Sequence, residues 1–220
     1  ALTVRAEDVT PGQSGQDLSV TKNLSAVDHF CTRLSADNAP SQAVRGIELP
    51  GLHETLSRKY KNNAALMGTF SKTGLTIASE LSRQFASGEC PATLDGRPVY
   101  CLDDEQFRKE VRTNNHDRDR KAKELAGRIM EELETLDPQP ILFINNINIP
   151  VKTSDQQITG NAPSPRTIGD VFSMQSRVPV IGTVDPVSSS DEDYRAFLSS
   201  FWGFDQFSVK EAARRIEDEV

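Results

Sequence analysis

A strand, a glycine-bearing loop, a helix and a second strand follow one another between Asn62 and Asp103, and this order constrains the fold more than any other stretch. Ala64–Gly68 is a short apolar run that opens into a loop. From Leu75 to Phe85, the residues Ile77, Ala78, Leu81 and Phe85 share one helical face, with Ile77, Leu81 and Phe85 at i, i+4, i+8. Gly88 and Pro91 end that helix. Val99–Leu102, bounded by Gly96 and Asp103, fits a second strand. Two strands joined through a helix make a βαβ unit, and its first loop sits where phosphate-binding loops sit in nucleotide-binding proteins.

The rest of the chain supplies more elements of the same kind. Pro140–Pro150 opens with the apolar run Ile141–Ile144, a buried central strand of a parallel sheet. Pro179–Val184 is a further buried strand. Helices are predicted over Leu52–Tyr60, Lys121–Leu136, Ile168–Gln175, Asp191–Phe201 and Ser208–Val220, the last with Ser208 as N-cap. Leu24–Leu34 fits a short helix with Val27, Phe30 and Leu34 on one face. The expectation is a three-layer α/β/α fold with a mostly parallel sheet over residues 45–220, preceded by an N-terminal arm and linker over residues 1–44. The charged stretch Asp104–Lys123 reads as solvated, and His116 within it as a solvated side chain.

Composition narrows the function. With 32 acidic against 25 basic residues the formal charge is −7, and no basic stripe suited to a nucleic-acid backbone is present. No apolar run is long enough to cross a membrane. Cys31, Cys90 and Cys101 make neither a CxxC nor a Cys/His metal spacing, and they read as small buried hydrophobes. No metal and no cofactor is expected. The odd cysteine count points to a reducing, cytoplasmic setting.

From Arg45 to Asp103 the chain resembles, without a gap, the first ATPase module of the Clp-type AAA+ unfoldases. The resemblance rests on Arg45, Leu56-Ser57-Arg58-Lys59, Lys61-Asn62-Asn63, Leu66, Gly68, Gly88-Glu89-Cys90-Pro91, Leu94, Gly96-Arg97, Val99 and Leu102-Asp103. It continues in Ile141-Leu142-Phe143-Ile144 and Val180-Ile181-Gly182. It implies a P-loop NTPase fold of the AAA+ large-subdomain type, without the helical lid that follows it in the family.

The same resemblance implies that the chemical centre is degenerate. In the ungapped register the phosphate-binding Lys falls at Gly74 and the Mg²⁺-binding hydroxyl at Leu75, and Ser71 and Thr73 replace inner glycines. A rival register aligns Ser71-Lys72-Thr73 with Gly-Lys-Thr at the cost of a loop two residues shorter. Where the family carries Asp-Glu after its fourth apolar residue, this chain carries Asn145-Asn146; an amide is a poor Mg²⁺ partner and no general base. The position that senses the terminal phosphate falls at Val184, and Trp202-Gly203 stands for the paired arginines that reach a neighbour's nucleotide. The chain is therefore expected to be no ATPase. The reading is a catalytically inactive module that binds protein partners as scaffold or adaptor, within an assembly that includes an active ring ATPase. The alternative is a nucleotide-binding, non-hydrolysing sensor of a Clp-type protein-remodelling machine that uses Lys72. Candidate partner surfaces are Asp104–Lys123 and the aromatics Phe197, Phe201, Trp202, Phe204 and Phe207; core packing is the competing explanation for the aromatics.

Overall fold

Apolar runs buried on both faces demand a sheet covered on both sides. The chain's structure, a computed structural model, describes residues 25–35, 51–67, 71–112, 118–149, 167–173, 177–184 and 204–209. Among them, six strands form one sheet: β1 (Cys31–Arg33), β2 (Asn63–Met67), β3 (Val99–Leu102), β4 (Ile141–Ile144), β5 (Val180–Val184) and β6 (Phe204–Ser208). Their order is β1-β3-β4-β5-β2-β6; β1 runs antiparallel to β3, and the other pairs are parallel. Every residue of β2, β4 and β5 is buried, as their sequences require.

Strand alternation sends side chains to two separate apolar layers. Ala65, Met67, Leu142, Ile144, Val180 and Val184 face one layer, packed under α1 (Ala26–Phe30), α4 (Asp104–Arg112), α5 (Arg118–Glu134) and α6 (Ile168–Ser173). Ala64, Leu66, Ile141, Phe143 and Ile181 face the other, under α2 (Leu52–Ser57) and α3 (Ser71–Ser87). The expected three-layer α/β/α fold with a mostly parallel sheet is what the chain adopts.

Several matched residues hold this frame. Asn63 Oδ1 accepts a hydrogen bond from the Val180 N–H at 2.9 Å, and Asn62 Nδ2 donates to the Arg177 carbonyl at 3.3 Å. Both bonds join the start of β2 to the start of β5. Arg97 Nε donates to the Gln139 carbonyl at 2.6 Å, joining the starts of β3 and β4. Gly88, at φ +72°, lets the chain turn out of α3 in the left-handed conformation that favours glycine.

The structure revises several element boundaries. α3 starts at Ser71, so Ser71–Leu75 is the first turn of a helix and not a loop. Asp104–Arg112 is helical, with Phe107 and Val111 buried at i, i+4, where a solvated charged stretch is expected. Phe204–Ser208 is an edge strand parallel to β2. Within the expected arm and linker, Ala26–Phe30 packs its Val27 and Phe30 into the core, and Cys31–Arg33 extends the sheet past β3. The expected polar arm over residues 1–20, Arg45, His116, the expected helix at 191–201, Phe197, Phe201, Trp202 and residues 210–220 lie outside the described residues.

Candidate functional site

The C-terminal ends of β2, β4 and β5 lie side by side, with α3 leaving from β2 on one face and α5 and α6 covering the other. In open α/β sheets, ligands bind at such ends where the topology switches. Gly74, Asn145 and Asn146 meet at this edge; Ser71, Lys72, Thr73 and Leu75 belong to the start of α3 beside it, and Val184 ends β5 with its side chain in the opposite layer. Gly68 lies outside the described residues.

Thr183 occupies the centre. Its side chain is 1% exposed. Ile181 faces the α3 layer, so two residues further along β5 the Thr183 side chain faces it as well. Its Oγ1 accepts a hydrogen bond from the Asn146 backbone N–H at 2.7 Å and donates one to Asn145 Oδ1 at 3.2 Å. The Thr183 carbonyl accepts from the Ile147 N–H at 2.9 Å. The segment that leaves β4 is thus stitched to β5 through backbone and side chain together.

Gly74, in the first turn of α3, abuts the same threonine. A Cβ on Gly74 would overlap Thr183 Cγ2 and would sit 3.3 Å from Thr183 Cβ. Glycine is what allows α3 to approach β5 this closely. Thr73 is buried beside it, whereas Leu75 turns outward and is 41% exposed. Ser71 and Lys72 belong to the same helical turn.

Asn145 and Asn146 follow directly on β4. Asn145 shares the Thr183 hydroxyl, and Asn146 adopts a left-handed φ of 64°, a conformation asparagine tolerates better than most residues. Asn146 Oδ1 is buried without a hydrogen-bond partner among the described residues. No carboxylate stands at these two positions. Among the described residues no group of three His, Cys, Asp or Glu side chains is placed to hold a metal ion.

Val184, the residue aligned with the sensing position, is turned the other way. It is 1% exposed and lies in the apolar layer beneath α5 and α6. Thr183 is the polar β5 side chain at the site, since it shares a face with Ile181, which lies in the α3 layer. Of the aromatic partner candidates, Phe204 is buried in one core layer and Phe207 packs against the other, which favours core packing for these two.

Titratable groups elsewhere behave as structural ones. Burial is the main cause that raises the Cys31 thiol to about 12, with Cys101 and Glu132 adding to it. Burial likewise raises Cys101 to about 11, reinforced by Asp104 and Asp103. Neither thiol is poised as a nucleophile.

The mostly parallel sheet, its covered faces and the helix leaving β2 make a three-layer α/β fold that matches that of AAA+ proteins. Solved structures of Hsp104 share it. One, a closed-state reconstruction with ATPγS and FITC-casein, aligns over 83% of this chain and 31% of its own at a TM-score of 0.53 and 16% identity. The ADP complex of Hsp104 from S. cerevisiae aligns over 82% of this chain and 24% of its own at a TM-score of 0.54 and 16% identity. The extended S. cerevisiae Hsp104–casein complex aligns over 84% and 30% at a TM-score of 0.51 and 14% identity. In sequence, the chaperone protein ClpB of Chlamydia caviae is 25% identical over 140 residues, which is 59% of this chain and 15% of ClpB. No protein-family model matches the chain. The chain thus resembles the Clp-type AAA+ proteins in sequence and in fold, and spans a small part of the length of these relatives. No helix among the described residues is long and apolar enough to cross a membrane.

Proposed function

We propose that this chain is a non-catalytic AAA+-like module that works through protein contacts, as a scaffold or adaptor beside an active ring ATPase. One observation carries the reading: Thr183 fills the space between α3 and the end of β4, bonded to Asn145 and Asn146 and overlapping any side chain at Gly74. In the ungapped register Gly74 stands where a phosphate-binding Lys is needed, and Asn145 and Asn146 stand where Mg²⁺ and the attacking water need carboxylates. Hydrolysis at this site would lack its cation, its metal partner and its base at once. The edge bonds that remain serve the packing of the sheet.

A second reading, a nucleotide sensor without hydrolysis, draws on Lys72 in the first turn of α3 and on the unpartnered buried acceptor Asn146 Oδ1. Isothermal calorimetry with ATP and ADP, with and without Mg²⁺, separates the two. No heat at millimolar nucleotide is the expected result. Saturable binding that is lost in Lys72→Ala would move the reading to the sensor. Mg²⁺-dependent release of phosphate would overturn both.

A further inference from the structure

We draw no further inference here: the strongest candidate, the exposed turn Arg58–Lys61 between α2 and β2 that holds out Tyr60, carries nothing, because Arg58 is already paired with Glu54 and Asp205 and nothing in the structure shows what covers the tyrosine.

Discussion

The contact between Gly74 and Thr183 can be measured by a double-mutant cycle. Gly74→Ala alone adds a methyl that overlaps Thr183 Cγ2, a buried atom on a central strand. Alanine gains up to about 1 kcal/mol of helix propensity over glycine, less this close to the helix start. Forcing an extra methyl into a packed site costs about 1–3 kcal/mol, so a net loss of about 1–2 kcal/mol is expected. Thr183→Ser alone keeps Oγ1, and with it the bonds to Asn145 and Asn146, but removes the buried methyl at about 1 kcal/mol. In the double variant the overlapping atom is gone, and the new Cβ meets only Cβ at 3.3 Å and Oγ1 at 3.6 Å. Gly74→Ala should then be neutral or mildly stabilising, giving a coupling of about 2 kcal/mol. For a chain of this size that is roughly 4–8 °C in Tm across the cycle. Chemical denaturation of the four proteins with a common m-value supplies the free energies. Additivity within about 0.5 kcal/mol would show that α3 does not press on β5 at Gly74, and the account of the filled site would fall with it.

Two other outcomes follow from buried groups. Glu80 is 1% exposed and is held by Arg83, whose guanidinium reaches both of its oxygens at 2.9 Å, and by Gln84 Nε2 at 3.0 Å. Arg83→Met removes the guanidinium from that buried carboxylate and should cost about 3–5 kcal/mol in urea denaturation at neutral pH; a loss below about 1 kcal/mol would contradict it. Among the thiols, Cys90 should react first with a disulfide reagent at pH 8, since Cys31 and Cys101 are raised to about 12 and about 11 and so hold almost no thiolate there; equal rates for all three in the folded protein would refute the burial assigned to them.

Much of the sheet was legible because the inner strands carry their own signal. Ile141–Ile144 and Val99–Leu102 match their sequence-predicted spans, and β2 and β5 differ from theirs by a residue at the ends. The helix of α5 was legible through Ala122, Leu125, Ile129 and Leu133, all buried on one side. The α4 helix was masked by charge: only Phe107 and Val111 mark its inner face, and seven polar or charged residues surround them. β1 and β6 lie at the two edges of the sheet, and their short mixed sequences become strands through pairing with β3 and β2. An edge strand satisfies its backbone on one side only, so its identity depends on a neighbour that is distant in sequence.

At the candidate site, the residue types at positions 74, 145 and 146 follow from the sequence, and so does the absence of carboxylates at the end of β4. Which β5 residue meets them does not. A gapless comparison points to Val184, but strand parity turns Val184 into the layer under α5 and brings Thr183 between Gly74 and the two asparagines. Local sequence by itself determined the apolar strands, most helices and the chemistry available at each position, because those depend on periodicity and side-chain type. The tertiary structure alone decided which edges were completed by β1 and β6 and that Thr183 fills the site. Each of these is set by strand register and side-chain direction, which long-range pairing imposes on the chain.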